Sequence, residues 1–495
     1  HAIDPSYFYF LDSLNLINLT TPGHVAHPGT PVQSIGALVL LAVQGFADAD
    51  TITARVLADP ETHLRAMSTV LYVINAVGLL AVGLAARGAL GGLMPALLVQ
   101  AGPFASTVIA RHGLYFKPET FLVFAALMLA LVTLLAVRSG ALEKHRTGFA
   151  VAFGIVAGLG IATKFSAAPL YVLPVFLLWG VRPLVIYAGV SVVSFVFFIL
   201  PAIGAFDEFF AYMSQVFMGS GHFGGGEQTI IDLEKYPRDV LRMASRPILL
   251  VPIILAPLAL LEAWRRSRKG QEVPGLVMRA LGGVVLAQAL QILIVAKHPS
   301  AHYLVPTIVL SGLTVGLFYR LVSELASVSP RARFWSREVV AVVFGVYLLV
   351  QGAAFVAQDF ELREWREDAV SVDNSKFGQC AQVYFQFASD PAYALLLSNH
   401  ITHGKLADRI APHIAPNVMW FDVVSKTFRD LFGETDMLDA LVEYPCAFFR
   451  GQDRSIMESY LRETIPGIAF SDACSTDIEA ILTAGVDCQG NLTGK

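Results

Sequence analysis

The sequence predicts a polytopic α-helical membrane protein that ends in a small α/β domain outside the bilayer. Of 495 residues, 55% are hydrophobic and only 15% charged, against about 25% charged in soluble domains, and the mean hydropathy is +0.60. Uncharged runs at 66–84, 88–110, 120–137, 147–163, 165–181, 183–206, 247–261, 280–296, 303–319 and 339–358 approach or reach the roughly 20 residues that cross a hydrocarbon core. That gives about ten spans. Residues 359–495 differ in kind: 11 Lys and Arg stand against 21 Asp and Glu, a net charge of −10 that leaves +6 on the rest of the chain. Such numbers exclude a soluble enzyme.

In chain order, residues 1–65 read as a first loop with interfacial helices, 66–358 as the membrane domain with a second loop at 207–246, and 359–495 as the terminal domain. Orientation follows from the basic residues. One set of short loops, with Arg87, Arg138, Lys144, Arg146, Arg182, Arg265, Arg266, Arg268, Lys269, Arg279, Arg320, Arg331, Arg333 and Arg337, holds 14 Lys and Arg, and the much longer opposite loops hold 10. The positive-inside bias puts the first set in the cytoplasm and the three long segments outside. The run at 31–47 reads as an interfacial or re-entrant helix, because residues 1–30 contain no Lys or Arg to hold them in the cytoplasm. The chain opens on His1 rather than Met, and an N-terminal signal-anchor span ahead of it is an expectation of the sequence.

The terminal domain carries every cysteine: Cys380, Cys446, Cys474 and Cys488. Their spacing fits no zinc pattern, and an even count in an exported domain implies two disulfides, of which Cys474 with Cys488 closes the shortest loop. Runs such as AQVYFQF, NVMWFDVV and PCAFFRG alternate with DPAYALLLSNHITHGKLADRI and SIMESYLRETI, an α/β pattern. No internal repeat of fixed period is visible, which disfavours a transporter built from inverted repeats.

Ionisable residues where apolar spans end are costly and mark substrate paths. Asp4, in DPSYFYF, is a candidate general base, or else a helix cap; Tyr7, His24 and His27 lie near it in sequence. Arg111, His112, Lys117 and Glu119 fall between two runs, and Lys164 is the sole charge between Arg146 and Arg182. Lys164 either snorkels or binds an anion. Lys297, His298, His302 and Tyr303 form a turn on the same predicted face. Several cations there suit a phosphate or diphosphate head group.

These segments, in order, resemble the GT-C glycosyltransferases, the superfamily of protein O-mannosyltransferases, aminoarabinose transferases acting on lipid A, and oligosaccharyltransferases. The resemblance rests on Asp4-Pro5 with Tyr7, His27-Pro28-Gly29-Thr30-Pro31, GLGIATKFSAAPLYVLP at 158–174 and HYLVP at 302–306, and it spans residues 1 to about 320. A frequent second acid is Pro5 here, and His27 stands where one branch has Lys. The resemblance implies an enzyme that takes a sugar from a polyprenyl-phosphate donor on the external face and passes it to a glycan, lipid or protein acceptor. By that analogy Asp4 is the base, Glu119 the second catalytic carboxylate, and Lys164, Lys117, Arg111, Lys297, His302 and Tyr303 hold the donor phosphate. Tyr7, His24 and His27 would line the substrate. A divalent metal on Asp4 with Glu119 or a His is compatible with some members of the superfamily, although no ligand spacing demands it.

The lipid-linked donor is already activated, so no nucleotide site is required, and there is no P-loop or dinucleotide fingerprint. Nothing points to nucleic acid. A lipid or glycan flippase and a non-catalytic envelope scaffold are the competing readings; the first expects charges mid-span rather than at one face. The expected location is a bacterial inner membrane, with the terminal domain in the periplasm.

Overall fold

The structure, a computed structural model, describes residues 6–26, 28–220, 224, 227–326, 330–465 and 469–493. It forms two compact units. One comprises Val25–Ile35 and Ala66–Val356, and the other the residues up to His24, Gly36–Arg65 and the chain from Ala357 on. Most of the first loop and the terminal domain, separate segments in sequence, therefore share one unit, while Val25–Ile35 of that loop belongs to the membrane unit.

Among the described residues eight helices are long and apolar enough to span a membrane: Pro60–Leu90, Pro118–Val137, Arg146–Thr163, Val181–Met218, Pro247–Arg268, Gly275–Lys297, Ala301–Leu325 and Glu338–Phe377. Two of the ten runs, 88–110 and 165–181, form shorter broken helices instead of one continuous helix of that length. In 88–110, Gly91 and Gly92 take positive φ of 75° and 137° after Leu90, and Pro103 sits in a 3-10 turn at Gly102–Phe104 between the short helices Leu93–Gln100 and Thr107–His112. In 165–181, Pro169 lies in the 3-10 segment Phe165–Val172, followed by Leu173–Leu177 only. Proline removes a helix donor and glycine favours left-handed backbone, so these two runs are built from short helical pieces; Phe165–Leu177 nonetheless carries the chain from Lys164, beside Tyr303, to Leu177, beside Arg279 near the opposite end of Gly275–Lys297. The run at 31–47 forms Thr30–Val43, 14 residues long. The second loop carries helices Phe206–Met218 and Tyr236–Ala244.

The spanning helices sort by burial. In Ala301–Leu325, 83% of the most apolar stretch is buried, against 6% in Glu338–Phe377 and 17% in Val181–Met218. Outward faces carry Leu80, Leu84, Val185, Val192, Val193, Phe197 and Leu258, all exposed. Apolar surface on that scale is incompatible with water, and helices are the form whose backbone needs no outside partner in hydrocarbon. The chain is an integral membrane protein. With lipid outside, helices gain most from close contact between small residues. A Cβ added to Gly154 would lie 2.7 Å from the Val190 side chain, and one at Gly158 would lie 2.5 Å from that of Ser194, so Arg146–Thr163 meets Val181–Ile199 through a glycine face. Polar groups in the core pair with each other: Gln288 Nε2 donates to the Thr307 carbonyl at 3.0 Å, and Thr314 Oγ1 donates to Gln288 Oε1 at 2.9 Å.

In the other unit, strands β1 (Ala381–Tyr384), β2 (Val418–Asp422), β3 (Thr427–Arg429), β4 (Glu434–Thr435), β5 (Ala447–Gly451) and β6 (Ala480–Ala484) form one sheet in the order β4-β3-β2-β1-β5-β6. β1 runs parallel to both β2 and β5, and the remaining pairs are antiparallel. Helices Pro391–Ile401 and Arg454–Thr464 connect the strands, and Val383, Phe385, Phe421, Phe449 and Leu482 are buried in the core. Both disulfides form, Cys380–Cys446 with Cα atoms 4.6 Å apart and Cys474–Cys488 at 5.4 Å. The first stands at the head of the β1–β5 pair, next to the register Ala381↔Ala447.

The two bridges close loops of 66 and 14 residues. Chain-entropy arguments then give about 4 kcal/mol for the first and about 3 kcal/mol for the second. Cys446→Ser is expected to destabilise the sheet more than Cys488→Ser, read as faster hydrogen exchange of β1 and β5 amides in the full chain. Equal effects would contradict this account.

Candidate active site

The cluster is assembled where helices begin and end. Lys117 is extended and precedes Pro118, the first residue of Pro118–Val137, which places Glu119 in the first turn. A helix N-terminus favours a carboxylate there. Lys164 caps the C-terminal end of Arg146–Thr163 in extended conformation, its N–H donating to the Gly160 carbonyl at 3.0 Å. Ser300 opens the 3-10 turn Ala301–Leu304, and its Oγ lies 2.7 Å from His302 Nδ1.

These three chain breaks bring their charges together. Lys164 Nζ donates to Glu119 Oε1 in an ion pair whose side chains are 5% and 2% exposed. The same ammonium lies 4.5 Å from the centroid of the Tyr303 ring, and His302 Nε2 lies 4.0 Å from Glu119 Oε1. Glu119 Oε2 is buried and has no hydrogen-bond partner among the described residues. Lys117, also buried, has its Nζ 3.2 Å from His112 Nδ1, and the rings of His112 and His302 are 5.5 Å apart. Burial, reinforced by Lys117, pushes His112 down to about 4, so its neutral ring accepts a hydrogen bond from the ammonium. Arg111 is exposed and acts electrostatically on His112.

Other candidates fall elsewhere. Lys297 donates to the Phe217 carbonyl and His298 Nε2 lies 3.1 Å from that of Val216; both serve the C-terminal end of Phe206–Met218. Tyr7 and His24 belong to the other unit. The Tyr7 hydroxyl donates to Glu61 Oε1 at 2.7 Å, and the His24 ring packs edge-on against Phe8 and Tyr9. Asp4 and His27 lie outside the described residues. No group of three or more His, Cys, Asp or Glu side chains among the described residues is spaced to hold a metal ion, and the charged neighbours of Glu119 are cations.

Sequence reasoning missed Tyr212, which lies in the electrostatic range of Tyr303 and Lys164; the aromatic-rich run FFAYMSQVF was its signal. It also missed Asp12, fully buried, whose carboxylate accepts from the N–H groups of Gly23 and His24 at 2.7 and 2.9 Å. Nothing in one acid within LDSLNL marks it.

No protein-family model matches the chain, and no curated protein matches it. Among solved structures, a crystal structure of ArnT from Cupriavidus metallidurans bound to undecaprenyl phosphate is similar at a TM-score of 0.49 and 12% identity, covering 98% of this chain and 94% of that one.

Two predictions follow from the buried charges. Removing one member of the ion pair leaves the other uncompensated, at about 3–5 kcal/mol. Lys164→Met and Glu119→Gln should each lower the unfolding temperature, and the double variant should lose less than the sum of the two. Additive losses would show that the pair is not coupled. For Asp12, burial outweighs the two backbone hydrogen bonds and pushes the carboxyl up to about 6. The folded state then binds the proton more tightly than the unfolded one. Stability should rise as pH falls from about 6 towards the ordinary carboxylate range, by up to about 3 kcal/mol, and decline as pH rises through 6. Asp12→Asn should flatten that dependence in thermal unfolding between pH 4 and 7.

Proposed function

We propose that the protein is a GT-C-type glycosyltransferase that moves a sugar from a polyprenyl-phosphate donor to an acceptor on the external face of the membrane. The observation that carries this reading is the cluster at three helix breaks of the buried Lys164, Lys117 and Glu119 with the half-buried His302 and Tyr303. An ammonium fixed in a low-dielectric site is worth far more to a phosphate than a surface lysine. The external face is supported by the disulfides of the terminal domain, which require an oxidising compartment, and by the bias of Lys and Arg to the opposite loops.

In the proposed reaction, the acceptor nucleophile attacks the anomeric carbon as the bond to the donor phosphate breaks. Asp4 takes the proton from the nucleophile, and polyprenyl phosphate leaves with the electron pair. Lys164 and Lys117 stabilise the charge that develops on the leaving oxygen. Glu119 holds the Lys164 ammonium in place.

The residues in these roles should fail differently. Asp4→Asn is expected to keep the fold and the binding of undecaprenyl phosphate in vesicles, and to lose about 10² to 10⁴ in turnover. Turnover is read as polyprenyl phosphate released from its sugar-linked form in the presence of envelope acceptors. Lys117→Ala and Lys164→Ala should weaken lipid binding instead. Normal turnover in Asp4→Asn would move the base elsewhere; normal lipid binding in both lysine variants would sink the assignment of the phosphate site.

A further inference from the structure

A second basic site lies away from this cluster, in the membrane unit, on a residue that sequence reading assigned to the opposite loops. Arg279, near the start of Gly275–Lys297, donates from Nε to the Phe176 carbonyl at 2.6 Å and from Nη2 to the Leu177 carbonyl at 2.8 Å. It thereby caps the short helix Leu173–Leu177. These bonds leave Nη1 without a hydrogen bond among the described residues, so the guanidinium is oriented but not saturated. Its carbon lies 5.8 Å from the ring centroid of Trp179, which is 73% exposed. Val175, Phe176, Trp179 and Arg279 line an open groove of about 440 Å³. Arg146, the first residue of its helix, acts electrostatically on Arg279, with Glu143 the one acid that opposes it there.

The chemistry divides cleanly within the groove. Its walls are aliphatic and aromatic, which a free inorganic anion does not need. Its polar end is cationic, and a tryptophan exposed beside it has the amphipathic character that collects at headgroup level. Basic pockets between spanning helices take anionic lipid head groups. We propose that this groove binds an anionic phospholipid, with the phosphate on Arg279, an acyl chain along Val175 and Phe176, and Trp179 at the boundary between them. The site is independent of the glycosyl-transfer reading and uses none of its residues.

The test is titration of the purified full chain in detergent with fluorescent phosphatidylglycerol and, separately, phosphatidylcholine. Phosphatidylglycerol should bind saturably and phosphatidylcholine should not, and millimolar inorganic phosphate should fail to displace the lipid. Arg146→Gln should weaken phosphatidylglycerol about fivefold, the usual worth of one basic residue at such a surface. Trp179→Ala, at an exposed position, should weaken it without loss of fold. Arg279→Lys keeps the charge while Arg279→Gln removes it, so a larger loss in the second separates charge from helix capping. Equal binding of the two lipids, or unchanged binding in both Arg146→Gln and Trp179→Ala, would overturn the proposal. So would loss of binding in Lys164→Ala but not in Arg146→Gln, which would put the lipid at the other cluster.

Discussion

Hydrocarbon offers no hydrogen bond, and that constraint organises the membrane unit. Every backbone group within it must be satisfied by the chain itself, which leaves helices as the economical solution. Lipid-facing sides can then be uniformly apolar, as along Val185, Val192, Val193 and Phe197, while specificity moves inward. It takes the form of glycine contacts at Gly154 and Gly158 and of side chains that bond one another, as Gln288 does with Thr314.

The same constraint explains where charge enters. Mid-helix, a charged side chain has no water and no free backbone group to meet. At a helix end it has both an oriented dipole and irregular chain. Glu119 stands in a first turn behind Pro118, Lys164 just after a last turn, and His302 in a 3-10 turn. Each position is tolerable alone only with a partner, and the partners turn out to be one another. The terminal domain buries its own pair by the same rule. Arg450 is 1% exposed, and its Nη2 reaches Glu479 Oε2 at 2.5 Å and the carbonyls of Ala369 and Ser389 at 3.1 Å each. Nε also donates to Glu479 Oε2 and Nη1 to Asn374 Oδ1, so the pair anchors the segments around β5 in the sheet domain.

Legibility in the sequence tracked how local the signal was. Runs of β-branched and aromatic residues marked β1, β2 and β5 because each is fully buried and bounded by polar or turn residues. The strands β3 and β4 have three and two residues, too few for a pattern, and β6 is an ordinary apolar stretch between glycine and polar turns. The breaks within two of the runs were not legible, since hydropathy does not register the missing donor of Pro103 and Pro169 or the left-handed backbone of Gly91 and Gly92. Within the site, Glu119, Lys117, Lys164, His302 and Tyr303 could be picked because charge in apolar surroundings is conspicuous at any sequence distance. Their mutual pairing could not, because it depends on three separate helix ends meeting. Lys297 was legible as a cation but not as a helix-end ligand, which only the position of Phe217 reveals.

Lys164 shows why such a pair suits a ligand site better than either charge alone. An ammonium has three N–H directions. One is given to Glu119 Oε1 and the Tyr303 ring face occupies another, which fixes a normally flexible side chain and removes the rotamer entropy an incoming anion would otherwise have to offset. The remaining direction can be filled without breaking the ion pair. Glu119, for its part, keeps Oε2 buried and unpartnered among the described residues, an acceptor that a hydroxyl or amine arriving with the anion can meet. A group that presents a negatively charged oxygen and a hydrogen-bond donor within a few ångströms of each other satisfies both vacancies at once. A sugar phosphate is such a group, whereas a simple anion satisfies only the first.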